Sequence, residues 1–207
     1  MPAPGAALLD HAVAARGLSK DVSGDLSLVR PTRTGLLMAA IDGLGHGAEA
    51  AEAAAAAAAV LESEPDRPAA RLVERCHAAL LRTRGAAMTL AVLDADVSAM
   101  TWLAIGNVEG LLLRAGRNGA EERIYVLPCG GIVGYRLPPL KAATIPLRPG
   151  DLLLFATDGI REGFETTVDR DATPHEIANR ILDRHGKGTD DALVLVGRWH
   201  GGGGPRP

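Results

Sequence analysis

Aromatic side chains are scarce in this chain: Phe, Trp and Tyr together make up 3% of its 207 residues. A surface that stacks single-stranded bases needs aromatic platforms beside cations, so that mode of binding is excluded. Positive charge is not in excess either. The 22 Lys and Arg are set against 25 Asp and Glu, for a formal net charge of −3. Neither nucleic acid nor an anionic membrane is offered a long-range attraction. Cysteine is limited to Cys76 and Cys129, without metal-type spacing, which predicts free thiols in a reducing compartment. No window approaches the ~18 consecutive apolar residues of a membrane span. The alanine run at 53–59 is too short and is flanked by Glu. The opening MPAPGAALLDHAVAAR has no basic stretch ahead of an apolar core, so it does not read as a signal peptide. These absences predict a cytoplasmic protein with no membrane and no nucleic-acid partner.

What is present is an ordinary globular composition, 47% hydrophobic and 23% charged. It is enough for one domain with a real core. We place that domain at 8–199 and expect the glycine- and proline-rich tail at 200–207 (HGGGGPRP) to be disordered.

Periodicity predicts a half-buried strand over Leu26–Arg30 and a strand buried on both faces over Leu36–Ile41. A helix follows at Ala48–Leu61, where alanine gives high helix propensity and close packing. A second is expected at Pro68–Thr83, capped by Asp66, with Leu72, Cys76 and Leu80 as its apolar stripe. Met88–Leu93, Met100–Gly106 and Val108–Arg114 read as strands, and Asn-Gly in RNGAEE reads as a turn before Ile124–Leu127. Together they predict a meander of hairpins. Leu152–Thr157 is another buried strand. Thr173-Pro174-His175-Glu176 forms a capping box with Pro at the first helical position. Ile177, Ile181 and Leu182 give that helix its core face, Gly186 ends it, and Ala192–Arg198 closes as a strand. Two sheets packed face to face under helices fit this order.

One pattern carries chemistry. An apolar strand ending in Asp-Gly occurs twice, at Asp42-Gly43 and Asp158-Gly159. Asp25 precedes one strand, and the pair Asp190-Asp191 precedes another. In antiparallel sheets the end of a strand lies beside the start of its neighbour, so these positions can converge at one edge. Gathered carboxylates repel one another, and the remedies are raised pKa values or bound cations. Hard oxygen donors without a His/Cys cluster favour Mg²⁺ or Mn²⁺ over zinc. The glycines are expected to let the chain turn sharply at the site. Two such ions sharing an activated water would hydrolyse a phosphoester.

The runs VSGD (22–25), IDGLGHG (41–47), ATDGI (156–160) and GTDDALVLV (188–196) resemble, in order and context, the type-2C serine/threonine phosphatase superfamily. The likeness is to its bacterial SpoIIE-like and RsbX-like branch and covers about Asp10 to Arg198. The resemblance implies an α+β fold, an αββα four-layer sandwich with its active site at one edge of two antiparallel sheets. It implies two Mn²⁺ or Mg²⁺ ions. Asp42 would bridge both, Gly43 would offer its carbonyl, Asp158 and Asp190 would hold the second ion, and Asp25 would complete the site directly or through water. Asp190 is chosen over Asp191 because the family's ligand is the first of the pair. Asp42 and Asp25 are thus the catalytic candidates.

Two family features are displaced. A Ser or Thr often found three residues after the Asp190 position is Leu193 here, and a His often found after Asp-Gly is Leu44, with His46 two residues on. Arg16, Lys20 and His46 are the substrate-binding candidates. Gly106-Asn107 could place a polar group near the site but reads first as a tight hairpin. The loop Cys129–Leu140 is long enough to shape a recognition surface. His11, His77, His175, His185 and His200 show no ligand spacing. RsbX-like relatives imply a phosphorylated STAS-domain protein as substrate and partner. A pseudophosphatase that only binds its phosphoprotein, or a small-molecule phosphoesterase, are the rival readings.

Overall fold

Strand β3 (Gly35–Gly43) is buried along nearly its whole length, and the two faces of its side chains explain the architecture. Leu37, Ala39 and Ile41 point into one core cluster, shared with helices α1 (Ala48–Ser63) and α2 (Ala69–Leu80). Leu36, Met38 and Ala40 point the other way, into a cluster shared with the second sheet. This computed structural model describes residues 8–18, 22–116 and 121–201. The expected Asn-Gly turn at 118–119, Lys20 and all but the first two residues of the tail lie outside the described residues.

One sheet has the order β2-β3-β4-β5-β8, with β2 at Asp25–Pro31, β4 at Ala86–Asp94, β5 at Ala99–Ile105 and β8 at Ala143–Pro146. The other runs β1-β10-β9-β6-β7, with β1 at Leu9–Arg16, β6 at Glu109–Ala115, β7 at Glu121–Tyr125, β9 at Leu152–Ala156 and β10 at Ala192–Trp199. Every strand pair is antiparallel. Helix α3 (Pro174–His185) covers the second sheet through a third cluster that includes Leu152, Leu154, Ile177, Ile181 and Val194. Three apolar interfaces between four layers give the αββα sandwich that the sequence predicts.

The two sheets meet through Trp102 of β5 and Phe155 of β9, whose ring centroids are 5.6 Å apart. Gly110 makes the room: a Cβ there would lie 2.2 Å from Trp102 Cζ2. The Trp102 indole N–H donates to Thr89 Oγ1 at 2.9 Å, so its burial leaves no orphaned donor. Cys76 and Cys129 are both free, and burial pushes the Cys76 thiol up to about 12.

Four sequence expectations change. The chain does not meander through β4–β5–β6; Gly106-Asn107 is a crossover that carries it from one sheet to the other, not a hairpin within one. Gly106 sits at φ 84°, and a Cβ there would lie 2.6 Å from Ala87 Cβ. Strands β1 and β8 are present where none is predicted, both at sheet edges. Strand β7 starts three residues before the expected Ile124, because its ladder pairs Glu121 with Ala115. Asp66 does not cap α2, whose N-cap position is Pro68 and carries no side-chain cap; the Asp66 carboxylate takes the Arg33 N–H at 2.5 Å. The capping box at Thr173 and Glu176 is present as expected.

Candidate active site

The register of β2 against β3 sets Asp25 directly opposite Asp42. Asp158 follows β9 and Asp190-Asp191 precede β10, which pairs antiparallel with β9. The two sheets therefore deliver their acidic residues to the same edge of the sandwich. Asp42, Asp158 and Asp190 line one cavity of about 330 Å³, together with Leu44, His46 and Asn107. Asp25 is buried behind it, 8% exposed. Among the described residues no three His, Cys, Asp or Glu side chains are grouped closely enough to hold a metal ion as they stand. The carboxylates line walls around a space.

Electrostatics mark the cluster. Burial pushes the Asp25 carboxyl up to about 7, aided by Asp191, Asp158 and Asp190 and opposed by a hydrogen bond from Thr157. Burial pushes Asp42 up to about 8, with Asp25, Asp158, Asp190 and Asp191 all raising it further. A group of oxygen donors that repel one another is the environment a hard divalent cation relieves. The donor chemistry of this site fits such an ion.

The hydrogen bonds sort the carboxylates. Thr157 Oγ1 donates to Asp25 Oδ2 at 2.6 Å, reaching from β9 in one sheet to β2 in the other. Asn107 Nδ2 donates to Asp158 Oδ2 at 2.7 Å. Asp191 N donates to Asp190 Oδ1 at 2.9 Å. Asp191 itself has both oxygens occupied, Oδ1 by Leu18 N and Oδ2 by Gly24 N, each at 2.6 Å. It ties the segments before β2 and after β1 to the start of β10.

Gly43 and Gly159 are needed for space rather than for a turn, since neither has a positive φ. A Cβ on Gly43 would lie 2.0 Å from Ala50 O, and one on Gly159 would lie 1.8 Å from Asp191 O. Gly43 does not line the cavity. The loop after it is pinned by Leu44 N donating to Gly85 O at 2.9 Å, and by an ion pair between Arg84 and Glu49.

Of the substrate-binding candidates, His46 lines the cavity and Arg16 does not. Arg16 is turned to α3, where its guanidinium meets Asp183 Oδ1 at 3.2 Å. Sequence reasoning missed Thr157 and underrated Asn107. The only signal for either was adjacency, Thr157 preceding Asp158 and Asn107 standing at a strand boundary.

The profile of the family described as Stage II sporulation protein E (SpoIIE) matches residues 32–200. This chain belongs to the SpoIIE family. A curated relative, phosphoserine phosphatase RsbX of Bacillus subtilis (strain 168), is 24% identical over 180 residues, 86% of this chain and 88% of RsbX. A chain solved in a study of the bacterial stressosome, described as a modular system adapted to control secondary messenger signalling, is 31% identical with a TM-score of 0.83, covering 92% of this chain and 99% of that one. RsbX in complex with magnesium superposes with a TM-score of 0.83 at 24% identity, covering 93% of this chain and 96% of RsbX. The serine/threonine phosphatase PstP/Ppp of Mycobacterium tuberculosis gives 0.72 at 19% identity, covering 93% of this chain and 99% of that one. The fold is that of type-2C phosphatases, and the chain is a phosphatase, hence a hydrolase.

Proposed function

We propose that this SpoIIE-family phosphatase removes phosphate from serine or threonine of a protein, using two divalent cations, Mn²⁺ or Mg²⁺, held by Asp25, Asp42, Asp158 and Asp190. The observation that carries this reading is the arrangement of Asp42, Asp158 and Asp190 around one cavity, with Asp25 buried opposite Asp42. The cations, when bound, supply an activated water and charge stabilisation for attack at phosphorus. Asp42 is the carboxylate with no protein hydrogen bond among the described residues, which suits it to serve both ions. Asp158 and Asp190 stand on the other sheet and would hold the second. The Gly43 carbonyl is assigned to the same site by likeness of motif. Asp191, with both oxygens engaged, is left to hold the backbone.

His46 lines the cavity and can touch the incoming phosphoester. Leu44 occupies the position after Asp-Gly, so the leaving serine oxygen has no general acid there. We place the protein in the cytoplasm, and no helix among the described residues is long and apolar enough to cross a membrane. The likeness to RsbX and to a stressosome chain supports a phosphorylated STAS-domain regulator of partner-switching stress signalling as substrate.

The test is hydrolysis of p-nitrophenyl phosphate, a phosphoserine peptide and a phosphorylated STAS-domain protein, each with Mn²⁺, with Mg²⁺ and with EDTA. Turnover that needs the metal and falls by at least about 10³ in Asp42→Ala is expected, a loss of ~4 kcal/mol of transition-state stabilisation. Folded wild-type protein inactive on all three substrates with either metal would overturn the reading in favour of a phosphoprotein-binding module.

A further inference from the structure

Asn107 stands between two hollows. On one side it lines the catalytic cavity and donates to Asp158; on the other it lines a second cavity, of about 320 Å³. This second cavity lies just past the last pair of the β6–β7 ladder, Leu111 with Tyr125, and residues 107–110 and 125–128 form its walls. Tyr125 and Leu127 are exposed, so the wall is reachable from solvent. One carboxylate borders it, that of Glu109 at the start of β6. Among the described residues no hydrogen bond or ion pair reaches that carboxylate. Arg123 on the neighbouring strand is engaged elsewhere, by Glu121 at 2.7 Å and Glu165 at 3.6 Å. Burial raises the Glu109 carboxyl, and the charges of Glu165 and Glu162 raise it further. A cation brought to this carboxylate would relieve both effects.

We propose that this cavity is a specificity subsite for a lysine or arginine side chain of the phosphoprotein, close in sequence to its phosphorylated serine or threonine, with Glu109 as the counter-charge. The inference rests on the reading of the chain as a protein phosphatase and adds what the substrate carries beside its phosphate. Glu109 follows Asn107 by two residues, ~7 Å of extended chain. A substrate with its phosphate in the catalytic cavity therefore brings a side chain about one to three positions away within reach of Glu109. The aliphatic stem of lysine or arginine can lie on Leu127 and Pro128 while its charged head meets Glu109. The Tyr125 ring adds a second attraction for the cation. An acidic side chain at the same place would be repelled by Glu109, and by Glu162 and Glu165 beyond it, so the subsite rejects as well as selects. Glu109 binds substrate on this account and takes no part in bond cleavage.

The experiment measures kcat/KM of the full chain with Mn²⁺ on phosphoserine peptides of otherwise alanine-rich sequence. Arginine, alanine or glutamate is placed in turn at each of the three positions on either side of the phosphoserine. The wild type is expected to prefer arginine to alanine by about fivefold or more at one of these positions at least, and to disfavour glutamate there. Glu109→Gln keeps the shape and removes the charge, and should bring the arginine-to-alanine ratio to within about twofold of unity. Glu109→Lys should invert the order and make glutamate the better residue. A residue that served only the fold would slow every peptide alike and leave these ratios unmoved. An arginine preference that survives both variants puts the cation elsewhere and overturns the inference, as does a wild type that hydrolyses the peptides with no preference for arginine at any position. Folded wild type that hydrolyses no peptide of the set overturns it too, because a subsite for a flanking side chain must act on a peptide. The protein-phosphatase reading falls with it only if a phosphorylated STAS-domain protein is refused as well.

Discussion

Gly24 donates its backbone N–H to Asp191 Oδ2 across 2.6 Å, joining two residues that are 167 positions apart in the chain. The second oxygen of Asp191 takes Leu18 N–H at the same distance, and the side chain is 5% exposed. Asp191 therefore acts as a clasp for the backbone that leads into β2, where Asp25 stands. Its neighbour Asp190 accepts, among the described residues, only the Asp191 N–H, and it lines the cavity. Two adjacent aspartates have separate jobs.

Substitution separates them. Asp191→Ala orphans two backbone N–H groups in a buried setting and should cost about 3 kcal/mol, on the order of 10 °C in Tm for a chain of this size. Asp190→Ala should leave Tm within about 2 °C and abolish metal-dependent turnover. Differential scanning fluorimetry beside a p-nitrophenyl phosphate assay reads both. Equal loss of stability in the two variants would contradict this division.

The raised carboxyls of the cluster make the ion-free protein sensitive to alkali. Burial and the neighbouring carboxylates raise Asp25 to about 7 and Asp42 to about 8, from an ordinary aspartate value of 3.8. A raised value means the folded state holds its proton longer than the unfolded chain. The associated stability is complete below about pH 4 and is lost as pH rises through 7 to 8. In EDTA, Tm should therefore be lower at about pH 8.5 than at about pH 6, by on the order of 5 °C. Mg²⁺ should restore it at the higher pH, by binding the ionised form. In Asp42→Asn the EDTA slope should flatten. A wild-type Tm that is level or rising over that interval in EDTA contradicts the proposed coupling.

How much of this was legible depends on where each signal lives. Strands β3 and β9 are buried on both faces, so their unbroken apolar runs announce them. The capping box at Thr173 is local in sequence and could be read directly. The convergence of Asp25 with Asp42 follows from antiparallel pairing alone. Strand β1 escaped because it is an edge strand with Ala, Asp and Arg among its residues and only two fully buried positions. The crossover at Gly106-Asn107 escaped because a strand facing one sheet has the same alternation as a strand facing another. Gly43 and Gly159 are expected to turn the chain, but they serve a close backbone approach instead, which leaves no trace in the sequence distinct from a turn. Thr157 was invisible for a related cause: its partner Asp25 is 132 residues away.

Gly159, the residue after Asp158, gives a steric prediction. In Gly159→Ala the new methyl would meet the Asp191 carbonyl at 1.8 Å, backbone against backbone, with no flexible side chain to yield. Either the Asp158 loop or the start of β10 must move, and both carry site carboxylates. The expected result is a loss of ~2–3 kcal/mol, as for other overpacked sites, together with weaker cation binding by calorimetry. Wild-type cation affinity in a destabilised Gly159→Ala would show that the loop relaxes without disturbing Asp158 or Asp190.

At the opposite end of the sandwich, Arg114 at the close of β6 is 4% exposed and forms a two-pronged pair with Asp151, Nη2 to Oδ2 at 2.6 Å and Nε to Oδ1 at 3.0 Å. The same Nη2 reaches Pro146 O at 2.5 Å, at the end of β8 in the other sheet. Asp151 also accepts the Arg148 N–H at 2.8 Å. The pair thus locks the two sheets where no catalytic group lies. Removing one partner strands a buried charge, so Arg114→Met should cost about 3–5 kcal/mol. Replacing both, as Arg114→Met with Asp151→Leu, should recover much of that loss, because an apolar pair carries no desolvation penalty. Turnover per folded molecule should match the wild type in both variants, since β6 delivers Glu109, not Arg114, to the cavity end. A double variant no more stable than the single one would mean that the hydrogen bonds to Pro146 and Arg148, rather than the charge pair, hold this end together.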